Sequence, residues 1–145
     1  AEAGAEEADR ARAAGCRLFT RDAHRAATAE CVGCHVRHDA HPVDVDLDGR
    51  AARAGSSLRS AAEVVRRGVY LDGGRVTCLS CHDARSRWAA YLALPPGARV
   101  RTAVDPRKPA TYLARAQETV DGRHLPQGTA VSPTPLCRAC HTHGD

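Results

Sequence analysis

One five-residue pattern occurs three times in this chain and constrains it more than any hydrophobic period. It appears as CVGCH (Cys31, Cys34, His35), CLSCH (Cys78, Cys81, His82) and CRACH (Cys137, Cys140, His141). Each copy sets two cysteines three positions apart with a histidine directly behind the second. The chain holds 8 histidines in 145 residues, so a histidine behind all three pairs has a chance of roughly one in several thousand by composition alone.

The order Cys-x-x-Cys-His suits c-type haem attachment: two thiols add across the haem vinyl groups and the adjacent histidine becomes an axial ligand of the iron. Zinc is the competing reading, since six such cysteines can supply one all-cysteine tetrahedral site with two left over. The invariable histidine argues against it. A thioredoxin-like redox pair fits less well, because no alternation of strand and helix surrounds the pairs. The expectation is three covalent haem c groups, with Cys31, Cys34, Cys78, Cys81, Cys137 and Cys140 as attachment residues and His35, His82 and His141 as first axial ligands.

The remaining sequence offers little with which to build a conventional core. Aromatic residues make up 3%, with one Phe and one Trp, so haem planes are expected to supply apolar surface that side chains do not. A single domain over residues 1–145 is expected, mostly irregular coil with short α-helices and one small β-hairpin, organised by haem contacts. Residues 1–15 read as a polar, Ala-rich N-terminal arm. SSLRSAAEVVRRG (Ser56 to Gly68) predicts a helix with a serine cap and a glycine stop, and with Leu58, Ala62 and Val65 on one face. VYLDGGRVTC predicts a hairpin turn at Asp72-Gly73-Gly74 leading into the second motif. Residues 95–110 read as a proline-rich connector, residues 111–122 as a helix, and SPTPLCRACH as a short helix behind its prolines. DVDLDG (Asp44 to Gly49) lacks the terminal Glu of a calcium loop and reads as a solvated acidic loop.

The longest apolar run, WAAYLAL (Trp88 to Leu94), is far too short to cross a bilayer. The polar start AEAGAEEADR suits a mature chain whose secretory signal peptide has been removed, and an extracytoplasmic location, periplasmic or extracellular, is expected. The formal charge of +4 does not imply nucleic acid. Six propionates and three ferric cores would bring the oxidised protein to about +1 and the reduced one to about −2.

Each haem iron has a second axial position. With no Met in the chain, methionine ligation is impossible from within it, and low-potential bis-histidine ligation is expected. Five histidines remain for three vacancies: His24, His38, His41, His124 and His143. His38 follows His35 too closely to reach the far face of the same haem, and His143 stands in the same relation to His141.

The residues CVGCH…HPVDV…GGRVTCLSCHD resemble the multihaem cytochromes c, in which a His-Pro-Val segment follows one motif and a short strand precedes a CLSCHD motif. The likeness covers about residues 24 to 83. It implies a multihaem cytochrome c fold, His41 as a distal ligand and His24 as another. Beyond residue 83 only the third motif carries it: the family often continues its second motif as Cys-His-Asp-Pro-His, whereas this chain has CHDARSRW. His124 is then the natural third distal ligand, with His38 as its substitute.

Six-coordinate irons imply outer-sphere electron transfer rather than an enzyme. Two settings fit: a repeating subunit of an extracellular cytochrome filament, or a monomeric periplasmic shuttle. The expected partners are redox proteins, extracellular acceptors or copies of the same chain. The rivals are a haem enzyme with an open distal site and a haem-based sensor; carbon monoxide binding to the reduced protein separates both from a carrier. Cys16 is the seventh, unpaired cysteine, either buried or available to cross-link two chains.

Overall fold

The computed structural model describes residues 6, 9–10, 13, 16–19, 27–35, 41–114 and 117–142. His24, His38, His143 and most of the N-terminal arm lie outside these residues. Among the described residues there are six short α-helices: α1 (Thr28–Val32), α2 (Leu47–Ala51), α3 (Ala61–Arg66), α4 (Cys78–Cys81), α5 (Ala110–Ala114) and α6 (Thr134–Cys140). Two antiparallel two-stranded sheets join them, β1 (Val45–Asp46) with β2 (Arg75–Val76) and β3 (Arg99–Val100) with β4 (Thr119–Val120). Much of the rest is turn and irregular chain. No described helix is long and apolar enough to cross a membrane.

Helix α3 begins where the sequence places its cap: the Ser60 hydroxyl accepts a hydrogen bond from the Glu63 N–H at 3.3 Å. It ends before Gly68, whose φ of 92° suits glycine. The helix is shorter than expected, and its inward face differs. Leu58 precedes it in an extended bridge, Val64 is fully buried, and Val65 is 55% exposed. Arg66 and Arg67 both pair with Glu63, which leaves their side of the helix in solvent.

The Gly73-Gly74 turn forms, with both glycines at positive φ and reciprocal hydrogen bonds of 3.0 Å between Asp72 and Arg75. The outgoing strand β2 then finds a distant partner in β1, with Val45 opposite Val76 and Asp46 opposite Arg75. This pairing makes Asp44 to Gly49 a strand running into α2 rather than a loop, while Asp44, Asp46, Asp48 and Gly49 are solvent-exposed as expected. Leu47 is 2% exposed, Asp44 accepts from the Thr28 hydroxyl at 2.8 Å, and Asp48 accepts from the Ala61 N–H at 2.8 Å. The carboxylates serve as local anchors for backbone and side-chain donors.

Two hydrophobic clusters result. The larger contains Leu47, Val64, Val69, Val76, Leu136 and Ala139, with the half-buried Cys81 and Cys140 packed against it. The smaller contains Trp88, Val100, Leu125 and Val131, and Leu92 and Leu94 touch both. The second cluster rests on a sheet placed where connector and helix were expected, since β3 lies within 95–110 and β4 within 111–122.

Gly122 closes this second cluster. Its φ is 58°, and a Cβ there would meet the Trp88 ring at 2.8 Å and Val100 at 3.0 Å. Gly122→Ala combines left-handed strain with overpacking and is expected to cost about 2–4 kcal/mol. Thermal unfolding followed by circular dichroism should show a midpoint lower by roughly 5–10 °C.

Candidate cofactor-attachment site

In each motif the backbone closes the same turn. The N–H of the histidine donates to the carbonyl of the first cysteine, at 2.9 Å for His35 to Cys31, 3.0 Å for His82 to Cys78 and 2.8 Å for His141 to Cys137. Both cysteines therefore share one helical turn with the histidine at its exit.

The second and third motifs are alike beyond that turn. Helix α4 ends on Cys81 and α6 ends on Cys140, and each following histidine is extended, His82 at φ −125°, ψ 131° and His141 at φ −104°, ψ 144°. Each extended segment is then held by an antiparallel neighbour. His82 bridges Leu92, with Asp83 N–H to Tyr91 O at 2.9 Å and Ala93 N–H to Cys81 O at 2.8 Å. His141 bridges Leu58, with Arg59 N–H to Cys140 O at 2.8 Å and Thr142 N–H to Ser57 O at 2.7 Å. Backbone bonds thus fix both histidines independently of their rings. The first motif sits on α1 with Gly33 as its helical C-cap, and His35 is exposed.

His82 has a further partner. Its Nδ1 lies 2.8 Å from the Ala90 carbonyl; a carbonyl only accepts, so Nδ1 carries a proton and donates it. Ala90 and Tyr91 hold left-handed φ values of 57° and 53°, costly for residues with a Cβ. That turn, just after the buried Trp88, is what offers the Ala90 carbonyl to the ring. His41 makes a similar local bond, Nδ1 to the Pro42 carbonyl at 2.9 Å.

The segment carrying His41 is brought to the first two motifs. Thr28, at the start of the first motif's helix, donates to Asp44, and the Asp44 N–H donates to the Val76 carbonyl at 2.6 Å, two residues before Cys78. His124 stands apart in the turn after β4, exposed, with Nδ1 2.9 Å from the Thr119 hydroxyl. His24 and His38 lie outside the described residues.

Helix α4 carries one polar atom with no partner. The Ser80 hydroxyl accepts from the Thr77 N–H at 3.0 Å, while Thr77 Oγ1 is buried without a hydrogen bond, immediately before Cys78. Among the described residues it is the single buried side-chain polar atom in that state. An orphaned hydroxyl beside a candidate attachment cysteine is a donor without an acceptor in the chain itself.

All seven cysteines are free thiols. Burial pushes the Cys81 thiol up to about 11, aided by the nearby Cys140 and Cys137. Burial and then the neighbouring Cys78 push Cys31 up to about 11. Cys140 is also raised, by burial first and then by Cys137, against the opposing Arg59. Next to His82, Asp83 is held below the usual carboxylate range by its hydrogen bonds from Arg85. Among the described residues no group of three or more His, Cys, Asp or Glu converges on one point that would hold a bare metal ion.

Several of these features leave no mark in the sequence. Nothing in WAAY marks Ala90 as the partner of His82, because left-handed alanine has no compositional sign. Thr119, the partner of His124, is five residues upstream without a recognisable motif. No protein-family model, curated protein or solved structure matches the chain.

Proposed function

We propose that the protein transfers electrons through three covalently attached c-type haems. The observation that carries this reading is the common turn of the three motifs, in which both cysteines share one helical turn with the histidine at its exit. Haem, when bound, supplies a one-electron couple on a low-spin iron that changes little in geometry.

The chain's own residues do the rest. Cys31 and Cys34, Cys78 and Cys81, and Cys137 and Cys140 would provide the sulfurs, and His35, His82 and His141 would each hold an iron. The backbone bridges to Leu92 and Leu58 hold His82 and His141 in place, so that little reorganisation accompanies a change of charge. Thr77 Oγ1 would donate toward a group carried on Cys78. His41, whose Nδ1 is bonded to the Pro42 carbonyl, is the distal candidate best supported, with His24 and His124 for the other two positions and His38 as substitute. On this reading the protein is a carrier in an extracytoplasmic compartment, handing electrons to a redox partner or along an array of its own copies.

Intact-mass measurement of the mature protein, with a reduced spectrum of the same sample, tests the proposal. Three haem additions per chain and a low-spin spectrum inert to carbon monoxide are expected. A chain without covalent haem, or with zinc on its cysteines, would overturn it. Cryo-electron microscopy of that sample then separates filament from monomer.

A further inference from the structure

The chain holds one Phe and one Trp, and both bear on the turn that follows the second motif. Trp88 opens that turn, 8% exposed within the smaller cluster. Phe19 reaches its other end from the N-terminal segment: the Phe19 and Tyr91 rings lie 5.0 Å apart at 77°, an edge-to-face pair. Phe19 closes a short 3-10 turn, Arg17–Phe19, and its N–H donates to the Cys16 carbonyl at 3.3 Å.

Between Trp88 and Leu92 the backbone is held in a costly shape. Ala90 and Tyr91 are consecutive left-handed residues, with φ of 57° and 53°, and each carries a Cβ, so the pair persists only where its surroundings impose it. Hydrogen bonds fix the flanks. Ahead of the turn the Ala89 N–H donates to the Thr129 carbonyl at 3.0 Å, and behind it the Ala93 N–H donates to the Cys81 carbonyl at 2.8 Å. The contact with Phe19 acts on the side chain of a left-handed residue itself. His82 depends on the outcome, because the Ala90 carbonyl that its Nδ1 meets at 2.8 Å belongs to the peptide unit between the two left-handed residues. Relaxation of either residue swings that carbonyl off the imidazole.

We infer that Phe19 and Tyr91 are positioning residues for His82. Their ring contact clasps the left-handed turn and keeps the Ala90 carbonyl on the imidazole, so the N-terminal segment sets the posture of the second motif's histidine. The consequence for an iron rests on the haem reading above; the hold on the ring does not.

Hydrogen exchange of the mature full-length protein, followed by mass spectrometry, tests the clasp. In Phe19→Ala, exchange across residues 82–93 is expected to quicken about tenfold, while residues 57–59 and 141–142, where the same kind of backbone bridge holds His141, stay within about twofold of the parent. Phe19→Tyr keeps the ring and should exchange as the parent does. Phe19→Leu keeps apolar bulk without the ring and should loosen the same segment by about threefold, a milder change that the fold survives. Ala90→Gly added to Phe19→Ala should restore most of the protection, since glycine takes the left-handed shape without cost. Parental exchange across 82–93 in both Phe19→Ala and Phe19→Leu, an equal rise at 57–59 and 141–142, or no rescue by glycine would overturn the inference. Exchange reports on the turn whatever the cysteines carry, and haem addition is counted separately by mass, so the clasp and the haem reading fail independently. With three haems counted, Phe19→Ala should also shift one low-spin signal in the electron paramagnetic resonance spectrum of the oxidised protein and leave the other two in place.

Discussion

If the chain carries three haems as proposed, reduction of the His82→Ala protein is expected to open one iron per chain to carbon monoxide while the covalent haem count stays at three. The proposed attachment sulfurs of Cys78 and Cys81 are untouched, and the turn that presents them is closed by the backbone N–H of residue 82, which alanine retains. The antiparallel segment 91–93 also holds by backbone bonds to Cys81 and Asp83. The substitution therefore removes the proposed ligand without disturbing the turn that carries the two cysteines. The parent protein should show no carbon monoxide adduct, and the variant one, with a shift from low to high spin in the corresponding third of the oxidised spectrum. An unchanged spectrum would mean that His82 ligates nothing.

Leu47→Ala is expected to have the largest effect on stability. Leu47 and Val64 are the largest fully buried side chains among the described residues, and leucine truncation at such a site costs about 2–5 kcal/mol. For a chain of this length that corresponds to a melting midpoint lower by roughly 6–15 °C, readable by calorimetry. Cys81 and Cys140 pack against the same cluster, so the loss should also raise the rate at which these two thiols are alkylated in the haem-free chain. A shift below 2 °C would mean that the cluster around Leu47 contributes little to the fold.

Local chemistry was legible in the sequence wherever one residue governs its own neighbourhood. Ser60 caps α3, Gly68 stops it, Gly73 and Gly74 make the turn, and Pro133 and Pro135 start α6. Tertiary choices were not legible. A two-residue strand has no period, so nothing in Val45–Asp46 announces Arg75–Val76 as its partner, and the sheet hidden in residues 99–120 is of the same kind. Val64 and Val65 are adjacent and identical; only the approach of Leu47 and Leu136 decides which one faces inward. The motif cysteines and histidines were evident from order and spacing alone. The groups that orient them, the Ala90 carbonyl and the Asp44–Thr28 link, depend on left-handed backbone and on contacts across the fold.

The bridges that secure His82 and His141 have a consequence for how this protein can change over generations. Ala93 and Arg59 each give one donor of those bridges through the main-chain nitrogen, Asp83 and Thr142 giving the others, and the Arg59 side chain adds a bond of its own, Nε to the Arg138 carbonyl at 3.0 Å. The main-chain part of this hold asks only for an N–H, which every residue but proline has, whereas the side-chain part asks for a long donor at position 59. Descendants of this chain can therefore vary more at 93 than at 59 while the two histidines keep their posture, and a proline at either position would mark a lineage in which that motif has lost its hold.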